Sequence, residues 1–133
     1  RIAELADGGI RVSLFINPED FQIEAARSLN AAVVELHAGA YCDASPGPER
    51  DEQFERIASA AALAGRLGLE CHVGHGLTFD TVGAVAAIPN VVEFNIGHFL
   101  VGEAIFGGLD SAIRRMRALM DNARAEASGA RSA

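Results

Sequence analysis

The sequence predicts an α/β fold in which helices cover a parallel sheet. Four short segments rich in β-branched and aromatic residues alternate with longer segments that carry apolar residues at helical spacing. Half of the 133 residues are hydrophobic and 22% are charged, so the chain has enough apolar surface for a packed core. Two architectures fit this alternation, an open doubly wound sheet and a (β/α)8 barrel.

The first unit begins with a predicted strand over Ile10–Ile16. Asn17 and Pro18 then predict a helix start, because asparagine caps helices and proline suits the first helical position. Residues 1–6 have the pattern of a helix end and the chain does not begin with methionine, so we expect a piece of a larger fold. The apolar stripe of the helix after Pro18 is predicted to consist of Phe21, Ala25 and Leu29.

The second and third units follow the same plan. A strand over Val33–His37 precedes a helix over Glu49–Leu67, and the glycine and prolines of Ala38–Pro48 predict a long loop between them. A strand over Leu69–Gly74 comes next, and Thr78 is expected to cap a shorter helix.

The fourth unit closes the pattern with a strand over Val91–Gly97 and two helices, over His98–Phe106 and Gly108–Ala125. The small and polar residues 126–133 predict a frayed tail, so a single domain is expected over residues 1–125. The inward face of the last helix is predicted to consist of Leu109, Ile113, Met116 and Met120.

Charge and composition exclude several classes of partner. The net charge of −7 argues against nucleic acid, because a phosphate backbone requires a basic surface. No apolar run approaches the roughly 20 residues of a membrane helix, so no membrane partner is expected. Two cysteines without close spacing predict no disulfide framework and fit a reducing cytoplasm. The net charge does not exclude a small phosphorylated ligand, because helix amides bind phosphate whatever the net charge.

Polar side chains cluster where the predicted strands end, which is the edge that carries the active site in parallel α/β folds. The sharpest feature is the Gly74–Gly76 segment, whose glycines allow a tight turn and whose His75 is suited to proton transfer. A plain turn or a packing histidine is the alternative interpretation. The clustered residues are Asn17, Glu35, His37, His75, Asn95, Gly97 and His98.

Two further features point to a phosphorylated substrate and a fixed acid. Gly97 and His98 open a helix after the last strand, where free amides and the helix dipole attract phosphate. Glu35 shares a strand face with Val33 and His37, so it is expected to point away from the helix layer. The alternative for Gly97 is a glycine needed only for packing. The alternative for Glu35 is a structural ion pair.

A metal site and a cysteine nucleophile are less favoured interpretations of the same region. His72 and His75 are three apart, so they point to opposite sides of a strand, and no recognised zinc spacing is present. His37, His75 and His98 could still converge with Glu35 on a metal ion, but without such spacing we expect no metal. Cys42 lies in a loop and Cys71 within a strand, which disfavours a Cys/His nucleophile pair.

Five ordered motifs carry a resemblance to a known family. They are Val12–Pro18, Val34–Tyr41, Gly74–Leu77, Ala86–Pro89 and Glu93–His98. Together they resemble the pyridoxine 5′-phosphate synthase family, with a likeness that runs from about Gly9 to Arg124. The resemblance implies a (β/α)8 TIM barrel, of which this chain would be the C-terminal half with strands five to eight.

The resemblance also implies a reaction. The family condenses 1-deoxy-D-xylulose 5-phosphate with 3-amino-2-oxopropyl phosphate to pyridoxine 5′-phosphate, and releases inorganic phosphate and water. By motif, His75 matches the proton donor, Glu35 the transition-state stabiliser, Gly76 a substrate-binding residue, and Gly97 and His98 the phosphate-binding pair. No metal or organic cofactor is implied, and the family assembles as homo-oligomers, dimers within octamers.

Departures from the family pattern stand beside the site. His72 and Val73 occupy positions where the family usually has Asn-Ala, and Ala38 replaces a usual threonine. The family's other acid–base residues belong to its first four strands, so the chain alone is expected to be inactive. Two alternatives stay open, a half-barrel module that binds a phosphorylated ligand and another phosphate-sugar lyase. The absence of lysine excludes a Schiff-base lysine for the latter.

Overall fold

The computed structural model describes residues 1–130 of the chain, and residues 131–133 lie outside the described part. Four strands form one parallel sheet in chain order, which confirms the α/β class and the parallel sheet. The strands are β1 (Ser13–Ile16), β2 (Val33–His37), β3 (Glu70–Gly74) and β4 (Val91–Asn95). The helices are α1 (Ile2–Asp7), α2 (Asp20–Ser28), α3 (Gly39–Asp43), α4 (Pro48–Arg66), α5 (Val82–Ala86), α6 (His98–Gly107) and α7 (Leu109–Ala130).

The core lies between one face of the sheet and the helices. Alternation along β2 and β3 sends Val34, Leu36, Cys71 and Val73 into this layer, where each is at most 1% exposed. They pack against the buried alanine-rich face of α4, which contains Ile57, Ala60, Ala61 and Ala64. The opposite face of the sheet is open and carries Glu35, as the alternation of β2 predicted.

The predicted face of α2 is wrong. The stripe of Phe21, Ala25 and Leu29 is exposed, whereas Ile23 and Ala26 are buried. The buried pair faces β1 and α4, which lie on the inner side of α2. The placement of these neighbouring elements therefore determines which face of α2 is buried. The predicted helix start also differs, because α2 begins at Asp20 and the Asn17 N–H donates to Gln22 Oε1 at 2.9 Å.

Two predictions about loops are corrected. A short helix, α3, lies inside the predicted loop, because Tyr41 is buried there and its hydroxyl donates to the Thr81 carbonyl at 3.2 Å. Thr78 does not cap α5. The residue before α5 is Thr81, and its Oγ1 accepts the Thr78 N–H at 2.8 Å, which organises the turn instead.

The last helix differs from its prediction at the inward face and at its end. Ala112 and Met116 are buried, but Leu109 and Ile113 are exposed because α7 contacts α5 and α6 along a neighbouring stripe. Residues 126–130 of the predicted tail continue α7, and residues 131–133 lie outside the described residues. Among residues 1–130, no helix combines the length and apolarity needed to cross a membrane.

Candidate active site

A cavity of about 910 Å³ opens at the carboxyl ends of the strands. Its volume is in the range of small-molecule sites. The five residues that the family resemblance assigned to the site all line it, namely Glu35, His75, Gly76, Gly97 and His98. Asn95 lines it too, whereas Asn17 and His37 are not among its lining residues. The structure thus brings together residues that lie up to 63 positions apart in the chain, from Glu35 to His98.

His75 sits directly after β3 in a left-handed backbone conformation, with φ of 69°. Left-handed geometry is unfavourable for a histidine and is characteristic of functional sites. Gly76 follows with φ of 88°, and a Cβ at that position would press against Cys42 Cβ at 3.1 Å. The two residues therefore form the tight turn that the Gly74–Gly76 segment predicted, with the imidazole at the cavity wall.

The ring of His75 is part of an aromatic cluster. It stacks on the ring of His37 with centroids 4.5 Å apart and planes 26° apart, and Phe15 contacts both rings. The Gly39 N–H donates to His37 Nδ1 at 3.2 Å. The sequence placed His37 at the same sheet edge as His75, but the stack of the two rings was not predicted.

Glu35 is held by its neighbours on β3 and β4. Asn95 Nδ2 donates to Glu35 Oε2 at 2.9 Å, and a Cβ at Gly74 would clash with Glu35 Oε1. A side chain at residue 74 would therefore displace the Glu35 carboxylate, which also receives an amide donor across the sheet. The sequence left open which face Asn95 occupies, and this bond places it on the face of Glu35.

Gly97 and His98 lie at the start of α6. Gly97 is the N-cap residue of this ten-residue helix, and both residues line the cavity. The first amides of a helix have no partner within the helix, and the dipole makes this end positive. The arrangement can bind an anionic group without any basic side chain.

A charged network lies on the same open face, nearer the start of the strands. His72 is only 6% exposed and faces two carboxylates, Glu70 Oε1 at 2.8 Å from Nε2 and Glu93 Oε1 at 3.3 Å from Nδ1. Arg11 also pairs with Glu70. Hydrogen bonds from His72 and then Arg11 lower the pKa of the Glu70 carboxyl. His72 thus connects β3 to β4, although the sequence assigned it no role.

Within the described residues, the geometry favours neither a metal site nor a reactive thiol. Within residues 1–130, no group of three or more His, Cys, Asp or Glu side chains is arranged to hold a metal ion. Burial raises the pKa of the Cys71 thiol to about 12, and burial also raises the pKa of Cys42. Because the thiolate is the reactive form, neither cysteine is activated as a nucleophile at neutral pH.

The fold and the cavity together define an α/β protein with its candidate active site at the carboxyl edge of a parallel sheet. The family model described as "Pyridoxal phosphate biosynthesis protein PdxJ" matches residues 1–122. The chain therefore belongs to this family, which confirms the resemblance drawn from its motifs.

Curated relatives named pyridoxine 5′-phosphate synthase support the assignment. The chain is 64% identical over 122 residues to that of Rhodospirillum rubrum, a match that covers 92% of this chain and 49% of the relative. It is 56% identical over 127 residues to that of Roseobacter denitrificans, covering 93% and 51%. The match to Zymomonas mobilis is 54% over 125 residues, covering 94% and 48%. The chain spans about half the length of the curated relatives it matches.

Proposed function

We propose that this chain is the C-terminal half of a (β/α)8 barrel and supplies strands five to eight. The match to about half of each relative supports this, as does the chain-order arrangement of four parallel strands. Within residues 1–130, β1 and β4 each pair on one side only. In a closed barrel these edges would pair with the other half, and the open face of the sheet would become the interior.

The complete barrel is proposed to act as pyridoxine 5′-phosphate synthase. It would condense 1-deoxy-D-xylulose 5-phosphate with 3-amino-2-oxopropyl phosphate and release inorganic phosphate and water. The observation that carries this proposal is the convergence of His75, Glu35, Gly76, Gly97 and His98 on one cavity. No metal or organic cofactor is part of the proposal.

Each of these residues has a role that its position can support. His75 would donate a proton during the dehydration steps, because its ring lies at the cavity wall and imidazole exchanges protons near neutral pH. Glu35, fixed by Asn95, would stabilise developing positive charge. Gly97 and His98 would bind a substrate phosphate at the start of α6, and Gly76 would allow the substrate close to the backbone.

The complete protein is further proposed to be a cytoplasmic homo-oligomer. Two unpaired thiols fit a reducing compartment. Helix α6 supports the assembly, because Val101 is 62% exposed, and Ile105 and Phe106, which also line the cavity, are 77% and 92% exposed. Exposed apolar residues that cluster on one helix are typical of a surface buried in an assembly.

A chimera tests the proposed activity. This chain would be joined behind the part of the Rhodospirillum rubrum relative that precedes the matched region, and both phosphorylated substrates would be supplied. We expect pyridoxine 5′-phosphate from the chimera, and a loss of about a thousand-fold in the His75→Ala variant. A folded chimera that binds inorganic phosphate but makes no product would contradict the proposal and favour a phosphate-binding module.

A further inference from the structure

The contact between His37 and His75 has no role in the mechanism proposed above. We propose that His37 is a positioning residue, a neutral imidazole on which the ring of His75 stacks and is held at the cavity wall. This inference rests on the proposed function of His75 as proton donor. It adds a residue that acts through His75 and does not itself touch the substrate.

The stack restricts a ring that the backbone alone leaves free. His75 is held in a left-handed conformation, but its side chain can still rotate. The His37 ring lies 4.5 Å away and nearly parallel, and Phe15 contacts His37 at 5.1 Å and His75 at 6.3 Å. Ring contacts at these distances are favourable and directional. The imidazole of His75 therefore contacts two aromatic rings and lines the cavity.

The bond from Gly39 determines the charge that His37 can carry. His37 Nδ1 accepts the Gly39 N–H at 3.2 Å, and an acceptor nitrogen carries no proton. Protonation at Nδ1 would break this bond and would place two positive rings 4.5 Å apart whenever His75 is charged. A Cβ at residue 39 would clash with the His37 ring, so this arrangement also requires glycine there. The bond from Gly39 therefore requires His37 Nδ1 to carry no proton.

Other titratable groups face the same cavity and must be separated from this pair in any pH experiment. Protonation is therefore best observed at the two rings directly. The additional groups that line the cavity are Glu35, Asp43, His98 and Glu103.

The first test is nitrogen NMR of the 133-residue chain labelled with ¹⁵N-histidine. The chain contains only four histidines, and the His37→Phe and His75→Asn variants assign the two signals. We expect His37 Nδ1 to give the signal of an unprotonated, hydrogen-bonded nitrogen at neutral pH. A protonated His37 Nδ1 under these conditions would overturn the inference, whether or not the chain supports catalysis.

The second test compares two substitutions in the chimera. His37→Phe keeps a ring beneath His75 but has no acceptor, whereas His37→Asn keeps an acceptor but has no ring. We expect His37→Asn to lower kcat about ten-fold with KM changed less than about two-fold, and His37→Phe to stay within about three-fold of the parent. The pH dependence of kcat should shift in His37→Asn and not in His37→Phe.

A matched control removes a ring contact elsewhere. Phe54 contacts the ring of Tyr41 at 6.1 Å on the helix-covered side of the sheet, and Phe54→Leu is expected to leave kcat unchanged. Two results would assign His37 a purely structural role and overturn the inference. One is an equal loss of kcat in His37→Phe and His37→Asn. The other is a loss of kcat in proportion to the fall in unfolding temperature in these two variants and Phe54→Leu. Inactivity of the parent chimera would instead contradict the proposed function, and the NMR result would still decide the state of His37.

Discussion

The two faces of the sheet are built from the same strands but differ in almost every physical property. On the helix-covered face, Val34, Leu36, Cys71 and Val73 are essentially inaccessible to solvent. On the open face, several side chains at alternate positions of the same strands are polar and contact each other across the sheet. They include Glu35, Glu70, His72, Glu93 and Asn95.

This difference separates stability from chemistry. Burial of apolar side chains against α4 is the main source of folding free energy on one face. On the other face, charged groups are paired with one another, and the side chains at the carboxyl end of the strands line the cavity. A substitution on the helix-covered face should therefore change stability. A substitution on the open face at the carboxyl end of the strands should change activity.

His75→Asn should separate the two properties most clearly. Asparagine tolerates the left-handed backbone conformation that His75 adopts, but it cannot donate a proton as imidazole does. We expect product formation by the chimera to fall about a thousand-fold, and the free energy of unfolding to change by less than about 0.5 kcal/mol. Steady-state kinetics and urea unfolding measure the two effects. Retained activity would exclude His75 as the proton donor.

Leu36→Ala should show the stability of the helix-covered face. Leu36 is fully buried, so its truncation leaves a cavity and is expected to cost about 3 kcal/mol in the free energy of unfolding. The matched control on the open face is Phe15→Ala, which should cost less than about 1 kcal/mol because Phe15 is 54% exposed. Equal losses in urea unfolding of the 133-residue chain would contradict the division between the faces.

Asn95→Leu should impair the chemistry without affecting the core. The variant removes the amide that donates to Glu35 Oε2, and a hydrogen bond to a charged group contributes about ten-fold or more to an equilibrium. We expect kcat of the chimera to fall about ten-fold while the unfolding midpoint is unchanged. Asn95→Gln, which retains an amide, should recover part of the rate. A kcat equal to that of the parent would exclude Asn95 as a support for Glu35.

Glu70→Gln should produce the smallest effect, one that depends on pH. The pKa of Glu70 is lowered, so its stabilising contribution is present above the ordinary glutamate range and is lost as the pH falls through the lowered pKa. We therefore expect Glu70→Gln to lower the unfolding midpoint at neutral pH and to match the parent in strong acid. The exposed Glu55→Gln is the control and should show no such convergence. A constant difference at every pH would contradict the pairing of Glu70 with His72 and Arg11.

The positions of strands and of the polar edge were predictable because they depend on local patterns. Alternation along Val33–His37 separates buried from open positions, and glycines around His75 mark a tight turn. The buried faces of α2 and α7 were not predictable, because several stripes on each helix are apolar enough to be buried. Which stripe is covered depends on where the neighbouring elements lie.

The contacts within the site were less predictable than its members. The bond from Asn95 to Glu35 and the stack of His37 on His75 both join residues that are far apart in the chain. Such pairs follow from the register between strands, which a single sequence does not specify. His72 is a further example, since its two carboxylate partners are identified only when Glu93 is placed beside it on β4.

The most direct test of the proposed half barrel is to supply the missing half as a separate chain. The preceding half of the Rhodospirillum rubrum relative would be titrated into this chain, with both phosphorylated substrates present. We predict no product from either half alone, and a rate that rises with added partner and saturates near a one-to-one ratio. Product from this chain alone, or a stable one-to-one complex that makes none, would contradict the account.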